Sequence, residues 1–275
     1  MRFSICVFLY NQKKFVEELV LGLLSQTDSD CELVLSDDCS TDGTFQELLK
    51  YESRLKSVFK KVDIRKNKVN LGLVGHWNLV LSSLNTDYVI VQAGDDISLP
   101  ERVETVKRDI QKLGQPSCLG YNDVCGEKFD GKTYDETESP IYFKWGLKDF
   151  IVGNVRPSAA SRVFDLRKYR QFGELSSGLG TEDTTTLWRM LNSGEVYISS
   201  SRVLFYRRHP SALSAIGNIS KIKLYPIFSQ MNKDIKLVET SSLRKLTLYS
   251  ISIGYIVKRL LLNCYYRLLV LVFRK

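Results

Sequence analysis

The sequence is poor in the residues that build metal clusters and covalent staples. Two histidines, His76 and His209, occur in 275 residues, which excludes a histidine-rich metal cage. Six cysteines (Cys6, Cys31, Cys39, Cys118, Cys125 and Cys264) are scattered with no Cys-x-x-Cys pair. That spacing argues against a zinc ribbon, a thioredoxin-type centre or a disulfide framework, and suits a reducing, cytosolic compartment. There is no internal repeat and no low-complexity segment. In the apolar C-terminal region the longest uncharged run, Leu246–Val257, is twelve residues, short of the roughly 20 needed to cross a bilayer. The turn after the first apolar run, "LYNQKKF", holds no glycine. A nucleotidyltransferase would want a glycine-rich phosphate loop there.

Charge is unevenly placed. The formal net charge is +8, yet residues from Lys221 onward hold eleven Lys/Arg against two acids, Asp234 and Glu239. Residues 1–220 then carry 28 basic and 29 acidic groups. The body has no electrostatic footprint for nucleic acid, and the basicity belongs to the tail.

The start, "MRFSICVFLYNQKK", has an apolar core of only eight residues, followed by two lysines and no small-residue cleavage site. It reads as a first buried strand over Phe3–Leu9 rather than a leader peptide. Apolar periodicity then predicts helices over Phe15–Ser25, Thr44–Leu55, Leu73–Leu84 and Pro100–Leu113. Strands are expected over Cys31–Leu35, Val62–Arg65 and Tyr88–Gln92. Further on, helices are expected over Trp145–Gly153 and Thr181–Asn192, strands over Val196–Ser200 and Val203–Tyr206, and helix again from Leu224. Gly126–Pro140 is polar, acidic and rich in turn residues. Strands alternating with helices predict an α/β fold, with a Rossmann-like, mostly parallel sheet and flanking helices.

Three strand ends share a chemical theme: Phe8-Leu9-Tyr10-Asn11, Ser36-Asp37-Asp38 and Gly94-Asp95-Asp96. Open α/β sheets bind ligands beyond the carboxyl ends of their strands. Carboxylates gathered on such an edge repel one another unless a cation lies between them. Mg²⁺ or Mn²⁺ bridging phosphate oxygens is the usual solution. Each cluster also has a plainer reading. Asp95-Asp96 ahead of Pro100 could cap a helix, "SDDCSTDGT" is rich in turn residues, and Glu182-Asp183 could simply begin a helix. His209 could be a turn residue beside Pro210, and mid-helix His76 a packing residue.

The segments "FSICVFLYNQKKFVEELVLGLLSQT", "ELVLSDDCSTDGT", "NLGLVGHWN", "VQAGDDISLPERV", "TEDTTTLWRML" and "YRRHPSALS" follow in order over roughly residues 3–214. Together they resemble the family-2 inverting glycosyltransferases of the GT-A fold, of the bacterial surface-polysaccharide type. The resemblance implies a donor half over about 1–115 and an acceptor half over about 116–220, with 221–275 outside it. It implies that Tyr10 flanks a nucleobase, Asp38 accepts from a base N–H and Asp95 meets the ribose, with Phe8 and Asn11 on the same nucleotide side. Asp96 would ligate Mg²⁺ or Mn²⁺, and His209 would close over the diphosphate or complete the metal shell. Asp183, favoured over its neighbour Glu182, would be the general base, and Asn154 would stand in an acceptor-facing loop.

Three positions depart from the pattern. Phe8 replaces a small polar residue, Ala93-Gly94-Asp95-Asp96 keeps only two of the usual acids, and His76-Trp77-Asn78 lacks an arginine for the phosphates. Arg207 or Arg208 could supply that charge. The implied activity is metal-dependent inverting transfer of a sugar from a nucleotide-diphosphate donor to a lipid-linked oligosaccharide, as in O-antigen or capsule assembly. UDP-hexose is the favoured donor and a dTDP-sugar the next. An inactive nucleotide-sugar-binding protein of the same fold, or a nucleotidyltransferase, are the alternatives. In the tail, Arg259, Asn263 and Arg267 recur every four residues through Leu, Ile, Val and Tyr. That pattern predicts an amphipathic helix on the cytoplasmic membrane surface, or else a helix at a subunit interface.

Overall fold

The computed structural model describes residues 1–131, 139–152, 158–210 and 224–272, with side chains as far as 262. Residues 132–138 of the acidic excursion before Pro140, Asn154, and the end of the last motif from Ser211 lie outside the described residues.

The first apolar run forms β1 (Phe3–Leu9), central to a curled sheet. Its side chains alternate. Ile5, Val7 and Leu9 enter one core with α1 (Val16–Leu24), α3 (Glu52–Val58) and α5 (Arg102–Lys112). Cys6, with Phe8 packed beside it, faces the other core and α4 (Gly72–Ser83). A strand covered on both faces needs apolar residues at nearly every position, which is what the sequence supplies. On either side of β1 lie β2 (Glu32–Asp37) and β4 (Tyr88–Ala93), both parallel to it, and β3 (Lys61–Lys66) extends the parallel run beyond β2.

The parallel β3-β2-β1-β4 half stands as expected, and beyond β4 the sheet also takes in short antiparallel strands. Strand β8 (Val163–Asp165) runs antiparallel between β4 and β6 (Cys118–Gly126). Strand β9 (Val196–Arg207) pairs parallel with β6 and antiparallel with β5 (Ile97–Ser98) and β7 (Tyr142–Trp145). The two late strands expected from sequence are one, interrupted by register shifts on either side of Asn122 in its partner β6.

Two helix boundaries also differ. Thr44–Leu55 is broken into α2 (Thr44–Leu49) and α3, because Lys50 and Tyr51 make tight bonds back to Glu47 and Leu48 that end the first helix. Trp145 belongs to β7, where it pairs with Val196. The helix α6 (Leu147–Val152) starts only after Gly146, whose N–H is capped by Asp149 at 2.8 Å.

The C-terminal region is built into the body. After α7 (Leu166–Arg170) and α8 (Asp183–Leu191) come α9 (Leu224–Leu237) and the long α10 (Ser242–Val272). Ile227, Met231, Ile235, Leu248 and Tyr255 from these two helices share one core with Trp77 and Trp188. Asp234 of α9 forms a fully buried pair with Arg189 of α8, at 3.0 and 3.1 Å. Gln230 donates to the same carboxylate at 2.8 Å. Removing one partner leaves an uncompensated buried charge, so Asp234→Ala should cost about 3–5 kcal/mol in urea unfolding. Replacing Arg189 by Met and Asp234 by Leu together should recover most of that loss.

Candidate active site

Two backbone hydrogen bonds set the geometry of the acidic rim. The carbonyl of Phe8 accepts from the Gly94 N–H at 3.0 Å, and the next carbonyl, of Leu9, accepts from the Asp38 N–H at 2.9 Å. The end of β1 thereby binds the acidic loops of both neighbours. Asp38 and Asp95-Asp96 emerge at the carboxyl ends of the two parallel strands that flank β1, the place where such sheets take ligands. Gly94 is required for this. A Cβ there would lie 2.5 Å from Gln12 Oε1 and 2.8 Å from Leu9 Cγ.

Tyr10 is about half exposed at this rim, with its ring projecting from a turn tied by Gln12. Asn11 has a left-handed backbone (φ 53°) that asparagine tolerates. Its N–H donates to Ser40 Oγ at 2.8 Å and its Oδ1 accepts from the Thr41 N–H at 2.9 Å. Asn11 is therefore a strut between the β1 and β2 loops. Asp38 is buried, and its Oδ1 accepts from Asn67 Nδ2 (2.8 Å) and the Leu71 N–H (2.9 Å). Asp37 turns inward onto Ser40. Phe8 stacks on Trp77 at 5.2 Å and meets the edge of His76 at 5.3 Å, so its ring is occupied in packing. His76 is buried against Ser36 Oγ (2.8 Å), and burial lowers its pKa to about 4.

At the other strand end, Asp95 Oδ2 meets His209 Nε2 at 2.8 Å, and His209 leans on Phe15. Asp96 is almost wholly buried. One of its carboxyl oxygens accepts from the Arg207 N–H at 3.0 Å, and the other, Oδ2, has no partner among the described residues. Burial, then the neighbouring Asp95 charge, push Asp96 well above the usual carboxylate range. A buried carboxylate with one unpartnered oxygen suits a hard cation, so the donor set fits Mg²⁺ or Mn²⁺. Among the described residues no three His, Cys, Asp or Glu converge as a ready-made metal cage.

Arginine placement refines the sequence reading. Arg208 is exposed, and its N–H binds the Gly126 carbonyl. Arg207 is buried and committed: its guanidinium pairs with Glu18, and its Nε donates to the Asp95 carbonyl at 3.0 Å. Arg102, not singled out from the sequence, lies fully buried beneath the Asp95-Asp96 turn. It donates to Gln92 Oε1 (2.8 Å), Ser98 Oγ (3.1 Å) and the Val91 carbonyl (2.6 Å). The available signal was a basic residue in a helix's first turn, where the dipole disfavours it.

Arg162 connects this region to the second acidic pair. Its carbonyl accepts from the Val91 N–H of β4, and its Nη1 donates to the Asp183 carbonyl at 3.0 Å. Asp183 opens α8, with Glu182 just before it. Glu182 Oε2 is buried without a partner among the described residues. Burial first, and then the Asp183 charge, raise Glu182 well above the usual range.

The fold and rim define an α/β protein whose acidic loops gather where such sheets hold their ligands. Residues 4–168 match the family model described as glycosyl transferase family 2. The putative glycosyltransferase EpsE of Bacillus subtilis is 35% identical over 126 residues, which are 46% of this chain and 44% of EpsE. Glycosyltransferase GlyG of Streptococcus pneumoniae is 25% identical over 85% of this chain and 80% of its own length. The poly(ribitol-phosphate) β-N-acetylglucosaminyltransferase TarS of Staphylococcus aureus is 32% identical over 75% of this chain and 35% of its own. The chain thus spans less than half the length of EpsE and about a third of TarS.

Among solved structures, S. aureus TarS 1–349 in complex with UDP superposes with a TM-score of 0.65 at 17% identity, covering 90% of this chain and 70% of that one. The Pyrobaculum calidifontis mannosyltransferase PcManGT with GDP-Man and Mn²⁺ does so at 0.59 and 13%, covering 93% and 69%. These likenesses establish the fold. The chain belongs to glycosyl transferase family 2.

The Glu182 environment generates a prediction. Its folded-state pKa is raised, so its contribution to stability is complete below the ordinary glutamate value near 4.5 and is lost as pH rises toward the folded value. Glu182→Gln should therefore raise Tm at neutral pH relative to the parent, and the gain should vanish on acidification toward pH 4.5. A Tm–pH series on both proteins reads this directly.

Proposed function

We propose that the chain transfers a sugar, with inversion, from a nucleoside-diphosphate donor to a hydroxyl of a lipid-linked oligosaccharide in bacterial surface-polysaccharide assembly. The observation that carries this reading is the pair of β1 carbonyls that bind the Asp38 and Asp95-Asp96 loops side by side. With Arg162 tying β4 to the start of α8, these loops have a fixed relation to Asp183. UDP is the favoured nucleotide, in keeping with the UDP complex of TarS, and a dTDP-sugar is the next candidate. TarS is named for a poly(ribitol-phosphate) acceptor, which supports a cell-surface polymer as the destination.

In this reading Tyr10 flanks the base, Asp38 accepts from a base N–H and Asp95 receives the ribose. His209 exchanges its hydrogen bond with Asp95 for the diphosphate side of the site. A divalent ion held by Asp96, with His209 beside it, would offset the charge that grows on the departing diphosphate. The acceptor hydroxyl approaches the anomeric carbon from the opposite side, and Asp183 takes its proton as the new C–O bond forms. Burial and the adjacent Asp183 charge raise Glu182 above the usual carboxylate range.

A thermal-shift panel of UDP-, dTDP- and GDP-sugars with and without Mn²⁺ tests the donor site. At a hundredfold excess over Kd a ligand adds roughly 2.7 kcal/mol, a rise of several degrees. Absence of a shift with every nucleotide would overturn the reading. Asp183→Asn should lower kcat by about 10²–10⁴ while the donor-induced shift persists. Loss of the shift instead would assign Asp183 to the donor.

A further inference from the structure

The helix α10 has two unlike faces. Leu248, Ser252 and Tyr255 are buried against the body. On the opposite side Leu243, Leu246, Ile253, Val257, Leu260 and Leu261 are each about half to three-quarters exposed (49–75%). At 3.6 residues per turn these six fall within an arc of roughly 100°, a continuous apolar stripe. Nothing in the described part of the chain covers it, and no described helix is long and apolar enough to cross a membrane.

Charge selects the occupant. The helix carries Arg244, Lys245, Lys258, Arg259 and Arg267 and not one acid. Of the two acids beyond Lys221, Asp234 is consumed in the buried pair with Arg189. Pairing the stripe with a second copy of itself would bring cations together with no carboxylate on either helix to answer them. An anionic lipid surface answers them and accepts the leucines as well. Lys258 Nζ donates to the Ile151 carbonyl at 2.7 Å and so ties α10 to α6.

We propose that α10 lies in the interface of an anionic lipid bilayer, with the Leu243–Leu261 stripe sunk among the acyl chains and Arg244 and Lys245 at headgroup level. Nothing in this surface depends on glycosyl transfer. A failure here leaves the nucleotide thermal shift untouched, and a failure there leaves lipid binding untouched.

The test is flotation of the full chain with vesicles of phosphatidylcholine alone or mixed with phosphatidylglycerol. Binding should occur on the mixed vesicles, fall as salt is added and be weak on phosphatidylcholine. The triple replacement Leu246→Glu, Ile253→Glu, Leu260→Glu should abolish flotation with Tm unchanged, since all three side chains face outward. Arg244→Glu with Lys245→Glu should weaken binding by about tenfold or more. Failure to float with either vesicle, or flotation that ignores the triple replacement, overturns the proposal. So does equal, salt-insensitive binding to both vesicles. A concentration-dependent dimer in sedimentation that the triple replacement abolishes, with no vesicle binding, assigns the face to a second copy.

Discussion

Two consecutive carbonyls at the end of β1 are the constraint on which the rest of the molecule depends. A buried backbone acceptor left unpaired costs roughly 1–3 kcal/mol, so the Phe8 and Leu9 carbonyls must be met. They are met by the N–H groups of Gly94 and Asp38, one from each flanking loop. Main chain, not side chain, therefore sets the spacing of the two acidic loops. The side chains at 38, 95 and 96 make separate contacts, with Asn67, His209 and the Arg207 N–H, and holding the two loops against β1 is done without them. The demand falls on Gly94, where the backbone passes so close to Gln12 and Leu9 that any side chain would collide.

The electrostatics of the rim follow from what surrounds it. Cations are present, but most are engaged with neighbours rather than turned toward the gap. Arg207 serves Glu18 and the Asp95 carbonyl, and Arg65 serves Ser36, Asp63 and Ser83. Arg102 is spent on Gln92, Ser98 and backbone below the turn. Asp96 and Glu182 each keep one buried oxygen that no described protein group meets. A folded protein tolerates such groups poorly unless something else completes them, and both lie on elements that the Arg162 bridge ties together.

Much of this was legible in the residues. The continuous apolar run of Phe3–Leu9, the acids at successive strand ends and the helical periods between them specify the β3-β2-β1-β4 half nearly as observed. Where the reading went astray, long-range pairing decided the outcome. Three residues of β8 are too short to announce a strand, and their antiparallel place between β4 and β6 comes from the sheet, not from periodicity. Trp145 fits a helical pattern until β9 pairs with it. Phe8 packs on Trp77 and His76, and Asn11 braces the β1 and β2 loops. Whether a polar or aromatic side chain near a strand end faces outward or is spent on its neighbours is a matter of contacts that no linear spacing encodes.

The buried salt link between α8 and α9 has a consequence for how members of this family exchange parts. Asp183 opens the same nine-residue helix whose Arg189 is neutralised from the C-terminal region. A chimera carrying another relative's C-terminal segment must import a carboxylate at the matching spot. Otherwise a lone guanidinium is stranded less than two helical turns from the acid that opens α8.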